Sequence, residues 1–280
     1  MKYFQLDFHI SPYREMIADI LENMLGACGF EAFVPTADGF VGYVPQNAYN
    51  KEEVIRIVKD FRHSYDIQYQ VADAPDEDWN QQWEEEGFEP VAMDDLVCIH
   101  DERHKDVPPC KYDIIINPKM AFGTGSHATT RMILRHLCQM PMNGLKVIDA
   151  GCGTGVLGIL ASMCGANNVF AYDIDPWSVE NTITNAKLNG IDNISVLEGD
   201  ASILPQNQTY DLLIANINRN ILLADMPRFA QALAKGGRLI LSGFLIDDIA
   251  LLSDRGKEFG LKINRKKQDD EWAMLEMVRE

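Results

Sequence analysis

Residues 147–155 read Val147-Ile148-Asp149-Ala150-Gly151-Cys152-Gly153-Thr154-Gly155. Val147 and Ile148 have the character of the end of a buried strand. Three alternate glycines follow, then an apolar helical run from Val156 to Met163. A strand, a glycine turn and a helix N-terminus make a place where backbone can approach a ligand closely. Asp149 stands before the turn, and Asp173 ends the next apolar run, Val169-Phe170-Ala171-Tyr172. A carboxylate accepts two hydrogen bonds, which suits the two hydroxyls of a ribose.

From residue 146 onward, strand and helix patterns alternate. Strands are expected at 146–150, 168–173, 193–198, 210–215 and 237–243, and helices at about 155–163, 176–188, 220–234 and 247–259. This predicts an α/β fold with a doubly wound parallel sheet, whose ligands bind beyond the carboxyl ends of the strands. Gly151, Asp173, Asp200 and Asn216 all fall at such ends. Asp200 can accept from an adenine amino group or cap the residues after it. Asn216 can face a reacting amine without introducing a charge, or serve as a turn former beside Asn218 and Asn220. Two further strands, about 260–267 and 271–278, meet at Asp269-Asp270 as an antiparallel hairpin.

A second glycine loop, Asn117-Pro118-Lys119-Met120-Ala121-Phe122-Gly123-Thr124-Gly125-Ser126-His127-Ala128-Thr129-Thr130, runs into a helix expected over 129–138. Phe122 offers an apolar cover and Gly123 and Gly125 give freedom of movement. The hydroxyls of Thr129 and Thr130 can bond cofactor polar groups or cap the helix. Ahead of this loop, 90–100 and 112–117 look like strands.

The first 72 residues follow a β-α-β-β-α-β order, the ferredoxin-like split motif. Tyr3–Ile10 alternates as a strand, Ser11-Pro12 is expected to open a helix that stops by Gly29, and Asp38-Gly39 turns a hairpin. Asn50 with Glu53 reads as a capping box. This small α+β domain holds no catalytic constellation, and docking is its natural role. Ala74-Pro75 then breaks the chain. An acidic helix, 76–86, is expected to carry Trp79 and Trp83 on one face. The expected division is 1–72 recognition domain, 73–90 acidic linker and 91–280 catalytic domain.

The net charge is −17, and residues 73–110 supply −11 of it, with 13 acidic and 2 basic residues. So negative a balance argues against direct nucleic-acid binding and suits a basic partner. No stretch has the apolar length of a membrane span, and the opening residues do not form a signal peptide. The six cysteines are scattered without a C-x-x-C pair, as expected of reduced cytoplasmic thiols with no metal site.

Gly153-Thr154-Gly155-Val156-Leu157-Gly158 fits the dinucleotide pattern G-x-G-x-x-G, which leaves an NAD-dependent oxidoreductase as one reading. The fuller D-x-G-x-G-x-G pattern resembles the first motif of class I S-adenosylmethionine-dependent methyltransferases, which also end their sheet in an antiparallel hairpin. Together with Asn117-Pro118, Ala121-Phe122-Gly123-Thr124-Gly125, His127, Thr129-Thr130, Asp173-Ile174-Asp175-Pro176 and Asn216-Ile217, it resembles the bacterial ribosomal protein L-eleven methyltransferase family. The resemblance implies a seven-stranded Rossmann-like domain behind a ferredoxin-like one. It implies S-adenosyl-L-methionine as cofactor and lysine side chains and the α-amine of ribosomal protein L-eleven as acceptors. The family's cofactor contacts fall on Thr130, Gly151, Asp173 and Asn216, with Asp149, Gly153, Asp200, Phe122 and Gly123 beside them. Asn218-Arg219-Asn220 departs from the family's wording. A cytoplasmic monomer is expected; another amine or amide acceptor, or a non-catalytic cofactor sensor, is the alternative.

Overall fold

Alternating burial marks the first strand of the chain and continuous burial its later inner parallel strands; the chain is described from a computed structural model covering residues 3–26, 28–30, 32–61, 65–74, 88–104, 106–117, 121–205 and 208–280. The chain forms two compact units, Met1–Trp79 and Asn80–Glu280. The expected acidic helix with Trp79 and Trp83 lies outside the described residues, as does Pro118–Met120 of the second glycine loop.

In the first unit, β1 (Tyr3–Ser11) buries Leu6, Phe8 and Ile10 at alternate positions. It is followed by α1 (Glu15–Gly26), β2 (Ala32–Pro35), β3 (Gly39–Pro45), α2 (Lys51–Phe61) and β4 (Asp66–Asp73). The sheet order is β2-β3-β1-β4 with antiparallel neighbours throughout. The helices bring Leu21, Leu25 and Ile57 onto Leu6, Phe8 and Phe40. Ser11 does not cap α1: it is still paired with Asp66 in the sheet, so the helix begins later, at Glu15. Asn50 does cap α2, its Oδ1 accepting from the amides of Glu52 and Glu53 at 3.1 and 3.2 Å. The Glu53 carboxylate is held by Arg56.

The second unit opens with a small sheet of β5 (Val91–Met93), β6 (Val97–His100) and β7 (Tyr112–Ile115). The single strand expected over 90–100 is two, because Asp94 takes a φ of +51° and turns the chain. Then come α3 (Ala128–Leu137), β8 (Lys146–Ala150), α4 (Val156–Met163), β9 (Asn168–Asp173), α5 (Pro176–Leu188) and β10 (Ile194–Glu198). β11 (Tyr210–Asn216), α6 (Arg219–Ala232), β12 (Leu233–Leu245), α7 (Ile249–Lys257), β13 (Leu261–Asp269) and β14 (Trp272–Arg279) complete it. β12 starts earlier than expected because Leu233 already pairs with Tyr210.

The seven strands are ordered β10-β9-β8-β11-β12-β14-β13. All neighbours are parallel from β10 to β12, and β14 runs antiparallel to both its partners. Successive residues point to opposite faces, and both faces are covered. Val147, Leu212, Ile214 and Ile240 enter one core with residues of α3 and α4. Ile148, Leu213, Ala215, Leu239 and Leu241 enter the other with residues of α6 and α7. Because β8 has β9 on one side and β11 on the other, the crossovers part there and leave a crevice at the strand ends. Gly151 follows β8 into that crevice, and Asn216 ends β11 beside it.

Candidate active site

The turn after β8 depends on its glycines. Gly151, Gly153 and Gly155 have φ of +69, +54 and +82°, where a side chain is strained. Each is also approached closely. A Cβ at Gly151 would strike the Ile217 side chain, one at Gly153 the carbonyl oxygen of Phe122, and one at Gly155 Thr182 Cγ2 at 2.7 Å. The glycines therefore make room for protein neighbours, two side chains and the Phe122 backbone. The amide of Thr154 donates to Phe122 O at 3.0 Å and its hydroxyl donates to Gly123 O at 2.8 Å. Two points thus latch the Phe122-Gly123 segment onto the glycine turn.

Asp173 at the end of β9 faces the same turn. Its carboxylate accepts from the amide of Gly153 at 3.0 Å and from that of Asp175 at 3.1 Å. Ile174, next in the chain, is 68% exposed and lends the rim an apolar face. Asp200 accepts from the amide of Ser202 at 2.7 Å and caps a short 3-10 turn after β10, the second of its two expected roles.

Asn216 is bonded to α3. Its Nδ2 donates to the Thr130 hydroxyl at 3.2 Å, which turns Oδ1 the other way. Thr130 is 1% exposed, so the pair is fixed from the core side. The cap of α3 is His127, not a threonine: its Nδ1 accepts from the Thr129 amide at 3.3 Å and pairs with the Thr129 hydroxyl at 2.8 Å. Accepting at Nδ1 places the proton of a neutral His127 on Nε2. The ring sits edge-on between Phe122 (5.6 Å between centroids) and Trp272 (4.8 Å). Trp272 was not expected from sequence. It arrives through the sheet, where β12 pairs Ser242 with Asn216 and Leu245 with Trp272.

Asp149 turns inward. It is 1% exposed, and Oδ2 accepts from the amide of Gly158 at 2.9 Å, tying α4 to β8. A Cβ at Gly158 would lie 2.9 Å from that oxygen, so the third glycine of the dinucleotide-like pattern makes room for a carboxylate. Burial pushes the Asp149 carboxyl up to about 7, with the Gly158 amide opposing and the charge of Asp173 adding to the rise. Such a group binds its proton more tightly folded than unfolded. Its contribution to stability is complete below the unfolded value of 3.8 and is lost as pH rises toward 7. Asp149→Asn is therefore expected to gain stability relative to the parent between about pH 4 and pH 7 and to keep the gain above that. Urea midpoints of both proteins across this range check it; a pH-independent difference would remove the proton linkage.

Sequence reasoning also missed an asparagine row that runs along α5 to its C-cap. Asn181, Asn185 and Asn189 are four residues apart and share a face. Asn189 pairs with both peptide groups of Ile115 in β7, at 2.9 and 2.7 Å. Asn185 and Asn181 bond the amide and carbonyl of Asn117, at 2.9 and 2.7 Å. The four-residue spacing was the available signal.

Residues 31–280 match the family profile described as ribosomal protein L11 methyltransferase (PrmA). The chain belongs to that family. A ribosomal protein L11 methyltransferase from Bacteroides fragilis is 42% identical over 279 residues, covering 99% of this chain and 100% of that protein. One from Phocaeicola vulgatus is 40% identical over 279 residues, covering 99% of each. The crystal structure of ribosomal protein L11 methylase from Lactobacillus delbrueckii subsp. bulgaricus superposes with a TM-score of 0.64 and 28% identity, covering 69% of this chain and 100% of that one.

Membership makes the second unit a Rossmann-like methyltransferase domain with S-adenosylmethionine as its cofactor, and sets the oxidoreductase reading aside. The site fits that cofactor. Half-buried Gly151 keeps backbone accessible at the turn, the Asp173 carboxylate stands at the adjacent strand end, and Ile174 offers an apolar face beside it. No described helix is long and apolar enough to cross a membrane.

Proposed function

We propose that this chain methylates lysine side chains and the N-terminal α-amine of ribosomal protein L11, acting as a cytoplasmic monomer that does not itself bind nucleic acid. The observation that carries the reading is the Asn216–Thr130 pair at the end of β11. It leaves Asn216 Oδ1 without a hydrogen bond among the described residues, at the crevice where the acceptor must enter.

The cofactor supplies a methyl group activated on a positively charged sulfur. The protein's task is to present a neutral amine in line with it. Freeing the lone pair of a lysine with pKa ~10.4 takes about 4.6 kcal/mol at pH 7, and of an α-amine with pKa ~7.7–8.0 only about 1 kcal/mol. Desolvation and a neighbouring positive charge both lower an amine's pKa. Asn216 Oδ1 accepts one amine N–H and directs the lone pair away from that bond. Thr130 holds the Asn216 amide in that orientation. Asp173 holds the ribose hydroxyls, Gly151 and Gly153 admit the cofactor to the turn, and Phe122 and Gly123 cover it. Asp149 acts on the cofactor end of the turn through α4, and Asp200 keeps one oxygen for the adenine amino group. The proton leaves to solvent. The first unit, with residues 1–72 at its core, docks the protein substrate.

Incubation of the full chain with S-adenosylmethionine and ribosomal protein L11, followed by intact mass and peptide mapping, tests the reading. Mass gains in whole methyl steps on lysines and the α-amine are expected. Gains on other residue types would overturn the acceptor class. Removing residues 1–72 is expected to abolish methylation of L11 while cofactor binding persists; undiminished methylation would refute the docking role.

A further inference from the structure

Asparagine is a poor helix former, because its amide competes for backbone hydrogen bonds. Two of the three in the row are buried, Asn181 at 1% and Asn185 at 0% exposure, and each donates to a backbone carbonyl outside the helix. Asn185 bonds two separate segments. Its Oδ1 accepts from the amide of Asn117, where the second glycine loop begins. Its Nδ2 donates to the carbonyl of Thr154 at 2.8 Å and to Asn181 Oδ1 at 3.1 Å. Thr154 is also the residue whose amide and hydroxyl latch Phe122 and Gly123. One residue of the glycine turn is thus held through its amide and hydroxyl by the loop's far part and through its carbonyl by a side chain fastened to the loop's root. Asn189 makes the same kind of contact to β7, away from the turn, and its Nδ2 also donates to the backbone carbonyl of Asn185 at 2.8 Å.

We propose that Asn185 is a positioning residue for methyl transfer, fixing the Thr154 carbonyl against Asn117 so that glycine turn and loop receive the cofactor as one unit. The proposal rests on S-adenosylmethionine as cofactor and is independent of which acceptor is methylated. Asn189 is the matched comparison. From the C-cap of α5 it makes two hydrogen bonds to β7 and one to the Asn185 carbonyl, and none to the glycine turn, so a purely structural role would give both positions the same behaviour.

The test is calorimetric titration of S-adenosylhomocysteine into the full chain, with the thermal midpoint measured on the same samples and no acceptor present. Asn185→Asp keeps an oxygen for the Asn117 amide but has no hydrogen for Thr154 O. It is expected to raise the cofactor Kd by about tenfold or more, the effect of leaving a buried carbonyl unsatisfied. Asn185→Ala is expected to do at least as much. Asn189→Ala is expected to lower the thermal midpoint by a similar amount while its Kd stays within about twofold. Parental affinity in Asn185→Asp would overturn the proposal. So would an Asn189→Ala variant that loses as much affinity as Asn185→Asp. If Asn185→Ala does not fold, the aspartate and Asn189→Ala pair still decides. Because binding is read directly, failure to methylate L11 would leave this result standing.

Discussion

Gly153→Ala is expected to raise the cofactor Kd about 100-fold, whereas Gly260→Ala leaves it within about twofold. The two glycines share a left-handed backbone, with φ of +54 and +74°. A side chain there costs about 1–2 kcal/mol at either position. They differ in what a Cβ would meet. At Gly260 nothing lies within 4 Å, while at Gly153 the methyl would fall on the carbonyl oxygen of Phe122. A backbone oxygen cannot rotate aside as a side chain can. The Phe122 peptide must move, and with it goes the hydrogen bond it accepts from Thr154. Displacing the turn from the loop by even about 1 Å is enough for a loss of that order. Calorimetric titration of both variants with S-adenosylhomocysteine is the measurement. Equal losses at the two positions would show that backbone strain, and not the close approach, is responsible.

Asn216→Ala is expected to lower kcat about 100-fold while cofactor affinity changes by less than about tenfold. The truncation removes the oxygen that orients the acceptor amine. It also leaves the Thr130 hydroxyl, 1% exposed, without the partner it now has, so stability should fall by about 1 kcal/mol. Single-turnover methylation of L11, with cofactor binding measured separately, distinguishes the two effects. A variant that loses cofactor affinity and kcat in equal proportion would place Asn216 with the cofactor and not with the amine.

The parts of this site that could be read from sequence are those encoded locally. Alternate glycines mark a turn whatever surrounds them, and a strand that ends in Asp173 or Asn216 places its last side chain at the crevice once strand order is inferred. The rest depends on partners far away in the chain. Trp272 reaches His127 only through the register of β14 on β12. Nothing near Asn185 in the chain marks it, because its partners, Asn117 and Thr154, lie 68 and 31 residues away. Asp149 was legible as an acid before a glycine turn, but the direction of its carboxylate was decided by the absent side chain of Gly158. Ser11 misled because a serine before a proline has the pattern of a helix start, and the pairing with Asp66 that keeps it in the sheet is again long-range.

The position of β8, third from one edge of the sheet, also sets an order in which the chain can be completed during synthesis. β8, β9 and β10 are drawn from residues 146–198, a contiguous segment that already contains Gly151, Gly153 and Asp173. The root of the glycine loop and the helix with Thr130 lie ahead of it in the chain. Asn216 and the strand that sits beside it arrive later, and Trp272 almost last. A chain synthesised as far as the end of β10 therefore carries Gly151, Gly153 and Asp173 before Asn216, the residue that orients the acceptor amine, has been made.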